Sequence, residues 1–337
     1  MRFLICGLGS IGQRHLQNLI SLGEEDIVLY RTGKATLSSS EYTRFPVDDD
    51  LSRAIENWEP QAAIISNPTS LHMDTALPLA RAGIHLLIEK PISNTTAKVA
   101  ELQATLDGTG AKALVGHQFR FHPGMRQAKK MIDEHVIGKI LRVNVFWGEY
   151  LPEWHPWEEY QLAYSARRDL GGGVVLTLSH PIDYLRWLFG DVDAVTAEIG
   201  NSRTLDIDVE DAADFNLEFG SGVQASVHLD YLQSPKRHWM DIQGEHGTLH
   251  WDFADAAVHW RKSSSKDERR SQEEHAFERN EMFLQEMAHF IDLIRKDGIP
   301  ICSVEDGLRA LEVALAVHQS AQEGQRILIK ELVRSRI

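Results

Sequence analysis

The sequence predicts a two-domain α/β protein: a doubly wound parallel sheet over residues 1–120, then over 121–337 an α+β domain with a mostly antiparallel open sheet. Three observations support this prediction. The length of 337 residues suits roughly two domains. Short apolar strands alternate with helical patterns as far as residue 120. Beyond Pro123 the strands instead follow one another across short turns.

The strands expected in the first domain are short and apolar throughout, which is typical of strands buried on both faces. They are predicted at Arg2–Cys6, Ile27–Tyr30, Ala62–Ser66, His85–Ile88 and Ala113–Val115. Helical spacing lies between most of them; Leu16, Leu19 and Ile20 after the first strand are an example. This alternation predicts a parallel sheet covered by helices on both faces.

The second domain is expected to begin with a helix at Gly124–Val136 and to contain a longer helix near residues 174–189. Its strands are predicted at Leu141–Trp147, Val195–Ile199, Ala212–Phe219, Val223–Leu229, Trp239–Gly244 and Gly247–Trp251. The charged segment Arg261–Arg279 is interpreted as a solvated loop before a helix at Glu281–Arg295. The last helix, residues 304–322, is a candidate to pack back on the first domain.

Charge and composition disfavour several classes of function. The chain has 35 basic and 49 acidic side chains, a formal net charge of −14, which repels nucleic-acid backbones and anionic membrane surfaces. No apolar run approaches the ~20 residues of a bilayer span, so a cytoplasmic protein without a membrane partner is expected. Cys6 and Cys302 lie far apart and outside any CxxC spacing, so we expect two buried thiols, no disulfide and no metal site.

A glycine-rich turn follows the first strand and opens the first helix. Gly7 permits the tight turn, Gly9 lets the backbone approach a pyrophosphate, and Gly12 allows close packing of the helix. The helix N-terminus favours the anion. A dinucleotide is therefore predicted to contact Gly7, Leu8, Gly9, Ser10, Ile11 and Gly12. The alternative is a glycine-rich turn that binds nothing.

The end of the second strand bears on the choice of dinucleotide. NAD-type sites usually offer a carboxylate to the ribose 2′-hydroxyl here, whereas this chain has Arg31, Thr32 and Lys34. A guanidinium helped by a hydroxyl and an ammonium suits a 2′-phosphate. NADP(H) is therefore the preferred cofactor, and NAD(H) is the other candidate. The alternative role for Arg31 is to stack on the adenine without discriminating.

Further motifs occur in order along the chain. They are SNPTSLH at 66–72, IEKP at 88–91, GHQFRF at 116–121, and GGG at 171–173 followed by SHPID at 179–183. Together with the glycine turn they resemble the Gfo/Idh/MocA family of NAD(P)-dependent sugar and inositol oxidoreductases. The resemblance is close over residues 3 to about 190 and loose over 303–330.

The resemblance implies a Rossmann domain followed by an open-sheet domain whose exposed face forms homodimers or homotetramers. It also implies that Lys90 contacts both the nicotinamide and the substrate hydroxyl, and that His180 is the acid/base. On the same basis, further cofactor contacts are assigned to Ser66, Asn67, Pro68, His72, Glu89, Lys90 and Gln118.

The chemistry of alcohol oxidation agrees with these two roles. The hydroxyl proton leaves as hydride leaves the carbon, and a histidine with a pKa of about 6.5 accepts a proton at neutral pH. A lysine with a pKa of about 10.4 is better suited to stabilise the developing oxyanion. For each residue alone the alternative is structural: a solvated Lys90 at a strand end and a buried core His180.

The helix that carries His180 has three notable positions. Pro181 lacks an N–H and would clash with the carbonyl of Thr177, so an irregular helix is expected there. Asp183 lies three positions and Tyr184 four positions beyond His180, so either is placed to orient the imidazole, and Asp183 is the third candidate catalytic residue. The alternative for Asp183 is to cap the helix or to pair with Arg186. Many relatives carry an aspartate one turn before the histidine, where this chain has Thr177, which cannot take up a proton.

The substrate is expected to be a small sugar-like molecule. The aromatic segment 148–157 includes Trp154, whose ring suits the apolar face of a sugar; the alternative is an aromatic packing loop. Arg120, His122, Arg167 and Arg168 are candidate sources of positive charge for a phosphate, diphosphate or carboxylate on that substrate. The full set of predicted substrate contacts is Lys90, Arg120, Trp154, Arg167, Arg168, Thr177 and His180.

The function predicted first is hydride transfer between a nicotinamide and a secondary hydroxyl or keto group of a sugar, cyclitol, sugar acid or nucleotide sugar. A variant on the same fold uses transient oxidation for net elimination, hydrolysis or epimerisation. A third alternative is an NADP-sensing binding protein without catalysis. A sensor needs the glycine turn but neither Lys90 nor His180, so the joint presence of these residues favours an enzyme.

Overall fold

The structure is a computed structural model that describes residues 1–33, 42, 44–265, 267–271 and 277–334. The chain divides into two compact units. The first consists of Met1–His117, Trp157–Gly172 and Phe283–Leu311, and the second of Gln118–Pro156, Gly173–Met282 and Glu312–Ile337. The first unit therefore includes two later segments that the sequence placed in the second domain.

The first unit is built on a parallel sheet of six strands among the described residues. Strands β1 to β6 are Phe3–Cys6, Ile27–Tyr30, Val47–Asp48, Ala62–Ile65, His85–Glu89 and Ala113–Gly116. The helices between them, α1 to α4, are Ser10–Ser21, Leu51–Trp58, His72–Arg81 and Val99–Thr109. The strand order β3-β2-β1-β4-β5-β6 confirms the predicted doubly wound sheet, and it reverses direction beside β1.

The register of this sheet brings the chemically interesting segments to one edge. Cys6, the last residue of β1, pairs with Tyr30 of β2 on one side and Ile65 of β4 on the other. The residues that follow β1, β2 and β4 therefore leave the sheet at the same level. In open α/β sheets, ligands bind at this carboxyl edge, at the point where the strand order reverses.

The second unit contains a sheet of nine strands in the described part of the chain, in the order β14-β13-β12-β11-β7-β10-β9-β8-β15. Strands β7 to β15 are Ile140–Gly148, Val192–Gly200, Ala212–Phe219, Gln224–Asp230, Arg237–Gly244, Gly247–Asp252, Asp255–Lys262, Arg269–Arg270 and Ile327–Leu328. Helices α5 to α10 are Pro123–Asp133, Val174–Thr177, His180–Phe189, Arg279–Arg295, Val304–Glu323 and Ile329–Arg334. Most of α8 and the first part of α9 belong to the first unit. The strand pairs of the nine-stranded sheet are antiparallel except β7 with β10, which confirms the mostly antiparallel sheet.

The long helix predicted near residues 174–189 is broken in two, as Pro181 predicted. Helix α6 ends at Thr177, and α7 begins at His180 with the proline in its first turn. Proline is favoured there because its missing N–H would have no partner inside the helix. The break places His180 at the start of a helix instead of in the middle of one.

The interpretation of residues 261–279 as a loop is wrong in part. Arg261 and Lys262 end β13, Arg269–Arg270 pair with that strand as β14, and α8 begins at Arg279. Lys266 and residues 272–276 lie outside the described residues. The prediction missed β14 because a charged edge strand has no apolar alternation to reveal it, and charge on an edge strand is how proteins discourage unwanted pairing.

In the described part of the chain, no helix is both long enough and apolar enough to cross a membrane. Both cysteines are buried and free of disulfides, as the sequence predicted. Burial raises the pKa of the Cys6 thiol, so this side chain behaves as a small apolar residue of the sheet.

Candidate active site

The glycine turn has the backbone geometry that a bound anion needs. Gly7 has φ of +98°, and a Cβ on Gly12 would lie 2.1 Å from the carbonyl oxygen of Gly7, so neither position accepts a larger residue. A Cβ on Gly9 would meet open space. Helix α1 begins at Ser10 with no side-chain cap and no acidic residue in its first turn. Its first backbone N–H groups are therefore available to a pyrophosphate.

The glycine turn is held in place by hydrogen bonds to the Gln13 and Ser66 side chains. Leu8 is buried, and its carbonyl oxygen accepts a hydrogen bond from the Gln13 side chain at 3.3 Å. Ser66, just beyond β4, donates its hydroxyl to the carbonyl oxygen of Gly7 at 2.9 Å. Ser10 and Ile11 are half-buried in the first turn of α1. These contacts fix the turn against β4 and fit the predicted role of the run.

Arg31 and Thr32 follow β2 at the edge where the strand order reverses. The backbone N–H of Arg31 bonds to the carbonyl oxygen of Asp48, and its Nε is buried with no hydrogen-bond partner among the described residues. The neighbouring carboxylate of Asp48 already accepts hydrogen bonds from Arg53. The Arg31 guanidinium is thus able to meet an anionic ligand, whereas Lys34 lies outside the described residues.

The segment after β4 is organised by His72. Its Nε2 lies 2.9 Å from the carbonyl oxygen of Asn67 and its Nδ1 lies 3.0 Å from that of Pro91, so the ring links the ends of β4 and β5. Burial lowers the pKa of His72 and favours its neutral form. Pro68 precedes a short 3₁₀ turn, Thr69–Leu71. His72 therefore positions the loops that were predicted to contact the cofactor.

Asn67 presents a hydrogen-bond acceptor that no described residue uses. Its side-chain nitrogen donates to Thr75 at 2.8 Å, while its Oδ1 is buried without a hydrogen-bond partner in the described part of the chain. Its backbone nitrogen would lie 2.7 Å from a Cβ on Gly7, so it borders the glycine turn. A buried amide oxygen without a partner is costly, and a ligand in the turn is one group that could satisfy it.

Lys90 leaves the carboxyl end of β5 half-buried, next to a buried glutamate. The Oε2 of Glu89 accepts the backbone N–H of Lys90 at 3.2 Å, and its Oε1 lies 2.7 Å from Nε2 of His15. Burial opposes ionisation, but the hydrogen bond from His15 and the charges of His15 and Lys90 hold the pKa of Glu89 below its usual value. Glu89 is thus a support for Lys90.

His180 is buried in the second unit among aromatic rings. Its ring centroid lies 4.8 Å from that of Phe119 and 5.7 Å from that of Trp147. The side-chain nitrogen of Gln118 lies 3.0 Å from Nε2 of His180. In this amide orientation Gln118 donates and Nε2 accepts, so the neutral imidazole carries its proton on Nδ1. Gln118, predicted as a cofactor contact, is here a partner of the predicted acid/base.

Asp183 is one half of a buried ion pair. Its two carboxylate oxygens accept hydrogen bonds from Arg120, at 2.7 Å from Nη2 and 3.0 Å from Nε. Only 3% of the Arg120 side chain and 1% of the Asp183 side chain are exposed. Arg186, the partner proposed from the sequence, donates to Asp191. The structure therefore connects Asp183 to Arg120, a residue predicted to bind substrate, and ties α7 to the segment that carries Gln118.

The remaining predicted substrate contacts occupy varied surroundings. Thr177 is buried at the end of α6. Trp154 is half-buried and packs edge-on against Tyr231, with ring centroids 5.4 Å apart. Arg167 forms a bidentate pair with Asp169 at the surface of the first unit, and Arg168 is exposed beside it.

Sequence reasoning missed three features of these surroundings. It identified Gln118 and His180 but not their contact, and it found Arg120 and Asp183 but not their pairing. It also missed His15 and Glu286, which adjoin Glu89 in the first unit. His15 carried a signal, since it lies on the inner face of α1 directly after the glycine turn. Glu286 had none, because its spacing within α8 does not reveal a buried carboxylate.

The first unit has the fold and the turn of a dinucleotide-binding domain. The family model described as "Oxidoreductase family, NAD-binding Rossmann fold" matches residues 1–117, and that of the "GFO/IDH/MocA C-terminal domain" matches residues 125–250. The chain belongs to the Gfo/Idh/MocA oxidoreductase family, as the motifs suggested.

Individual relatives resemble the chain more distantly. It is 27% identical to the scyllo-inositol 2-dehydrogenase (NAD(+)) of Bacillus subtilis, over 97% of this chain and 96% of that one. It is 26% identical to the 2,7-anhydro-N-acetylneuraminate hydratase of Mediterraneibacter gnavus, over 62% of this chain and 56% of that one. The chain spans little more than half the length, 57% and 56%, of two of the curated relatives that it matches.

A crystal structure of the WlbA dehydrogenase from Bordetella pertussis, in complex with NADH and UDP-GlcNAcA, superimposes with a TM-score of 0.82. It is 23% identical, and the match covers 97% of this chain and 98% of that one. At this level of identity the similarity establishes the fold alone.

Proposed function

We propose that the protein is a cytoplasmic NAD(P)-dependent oxidoreductase that acts on a secondary hydroxyl or keto group of a sugar, cyclitol, sugar acid or nucleotide sugar. The observation that carries the proposal is the glycine turn at the reversal of strand order, with Lys90 at the carboxyl end of β5 in the same unit. Family membership supports it, and so do the named activities of relatives that act on inositol and on an anhydro sugar.

In this proposal each residue has a defined task. The nicotinamide, when bound, takes the hydride from the substrate carbon or returns it. The glycine turn and the N-terminus of α1 bind the pyrophosphate. Lys90 stabilises the developing negative charge on the substrate oxygen, and Nε2 of His180 takes up the hydroxyl proton in place of its contact with Gln118. In the reverse direction His180 returns the proton to the keto oxygen.

The test is a screen of sugars, cyclitols, sugar acids and nucleotide sugars by absorbance at the reduced-nicotinamide band, run in both directions with each dinucleotide. We expect at least one compound of these classes to be turned over. A chain that binds dinucleotide but transforms no compound of the screen, by absorbance or by product analysis, would be a sensor and would contradict the proposal.

A second candidate is net elimination, hydrolysis or epimerisation through transient oxidation, in which the cofactor is regenerated in place. The observation that favours it is the similarity to a hydratase of an anhydro sugar acid. The same screen separates the two functions, because this variant forms product by mass spectrometry with no net absorbance change. Cofactor that remains bound through purification would support it further.

We infer a preference for NADP(H) from the end of β2. Replacing Arg31 by alanine is expected to weaken NADPH binding about 10- to 100-fold, which is the value of one or two charge-assisted hydrogen bonds, and to change NADH binding by less than about threefold. Fluorescence titration with both dinucleotides measures this. Arg81→Ala, an exposed arginine of the same unit paired with Glu101, is the control and should change neither affinity. Equal losses for NADPH and NADH would mean that Arg31 stacks on the adenine.

We also propose that the exposed face of the second sheet binds a second copy of the chain. Three half-buried rings lie side by side on it. Phe146 is the central one, and its register partners are His228 on one neighbouring strand and Trp239 on the other. Their centroids are 4.9 Å and 6.0 Å from that of Phe146. Light scattering should give a dimer or tetramer, and Phe146→Asp should shift it towards monomer. A wild-type monomer at high micromolar concentration would contradict this proposal.

A further inference from the structure

A buried group of three titratable side chains lies in the first unit, next to Lys90 but containing none of the predicted catalytic residues. It consists of His15 on α1, Glu89 at the end of β5 and Glu286 on α8. One ligand atom from each lies within 4.8 Å of the other two. The exposed fractions of the three residues are 0%, 6% and 0%. Three residues so far apart in sequence meet only because the fold brings α1, β5 and α8 together.

Three polar atoms in this group lack hydrogen-bond partners. Nε2 of His15 and Oε1 of Glu89 are 2.7 Å apart, but Nδ1 of His15 and both carboxylate oxygens of Glu286 have none among the described residues. Buried polar side-chain atoms rarely lack a hydrogen-bond partner in folded proteins. The Glu286 carboxyl is the most costly of them, because it is fully buried and both of its oxygens lack a partner among the described residues.

Glu89 and Glu286 place two carboxylates within 4.8 Å of each other in the protein core. Buried charges are stable when they are paired or coordinate a metal ion, so a cation between the two carboxylates would balance both.

We propose that His15, Glu89 and Glu286 bind a divalent cation, with Zn²⁺ as the best match. One imidazole nitrogen and two carboxylate oxygens suit this ion, and a water molecule would complete four-coordination. The two carboxylates neutralise the ion, and the ion gives the Glu286 carboxyl its partner. A bound ion would replace or open the contact between His15 and Glu89, and would tie α1, β5 and α8 together beside Lys90.

The test uses the full-length protein without an affinity tag. The chain is stripped with a chelator, supplied with excess Zn²⁺, desalted and analysed for metal by mass spectrometry. We expect about one Zn²⁺ per chain and a melting temperature several degrees higher than that of the stripped protein. Glu286→Gln should weaken Zn²⁺ binding at least about 100-fold, since even outer-shell substitutions cost 10- to 100-fold. It should fold normally, because glutamine mimics a protonated glutamate.

Two controls make the outcome decisive. Asp292→Asn removes an exposed carboxylate from the same helix and should leave binding unchanged. His250 and His259 are register partners on adjacent strands of the second unit, with ring centroids 6.4 Å apart, and could take up Zn²⁺ adventitiously. The His250→Gln/His259→Gln variant should therefore retain the bound ion.

The proposal is overturned if the wild type holds less than about a tenth of an equivalent of Zn²⁺. It is overturned as well if the bound Zn²⁺ is lost in the His250→Gln/His259→Gln variant. It is also overturned if Glu286→Gln binds Zn²⁺ as the wild type does. These readouts do not use catalysis, so they stand whether or not the proposed oxidoreductase activity is found.

Discussion

Replacing either Lys90 or His180 by alanine is expected to lower turnover by about two orders of magnitude or more, while dinucleotide binding largely survives. In the proposed mechanism Lys90 supplies positive charge to the substrate oxygen and His180 supplies the proton acceptor. Each would act on the substrate oxygen as its charge changes, so its loss should raise the barrier to reaction. The pyrophosphate contacts are assigned to the glycine turn, which neither substitution touches.

The measurement is steady-state kinetics on the substrate found by the screen, together with dinucleotide titration. Lys98→Ala and His246→Ala are matched controls, because Lys98 is exposed beside Asp74 and His246 is exposed in the turn between β11 and β12. Neither control should change turnover by more than about twofold. If His180 is the base, the acidic limb of the kcat/KM profile should disappear in His180→Ala. Turnover near the wild-type value in either variant would remove that residue from the mechanism.

The parts of the molecule that the sequence predicted well are those set by local rules. Strand β1, the turn at Gly7 and the start of α1 follow from apolar runs and from glycines that no other residue can replace. The break at Pro181 follows from a missing N–H. Each depends on residues within a few positions of one another, so a single sequence contains the information.

The parts that it did not predict depend on tertiary contacts. Arg120 and Asp183 are 63 positions apart, and the sequence pointed to the nearby Arg186 as the partner of this carboxylate instead. Glu286 looks like an exposed helix residue until the fold brings it to His15 and Glu89. Ion pairing among many similar charges is decided by which side chains are buried together, and periodicity alone does not specify that.

The Arg120–Asp183 pair leads to the largest expected effect on stability. Replacing Asp183 by asparagine or Arg120 by methionine is expected to cost about 3–5 kcal/mol in the free energy of unfolding, because the other charge stays buried and loses both hydrogen bonds of this bidentate contact. The double variant Arg120→Met/Asp183→Asn removes both charges and should lose less than the sum of the single variants. Denaturant unfolding of the four proteins gives the coupling free energy directly.

A surface pair in the same unit isolates the contribution of burial. Arg326 and Glu218 make the same bidentate contact, both hydrogen bonds being 2.7 Å long, but their side chains are 48% and 42% exposed. Glu218→Gln is expected to cost less than about 1 kcal/mol, since solvent replaces the lost partner. A comparable loss at both pairs would mean that bidentate geometry, and not burial, determines the effect.

The Asp183 variants should also lower kcat more than they raise KM, because α7 carries His180 and the Arg120–Asp183 pair anchors that helix to the segment that holds Gln118. A loss of stability with kcat intact would limit Asp183 to a structural role and remove it from the predicted catalytic residues.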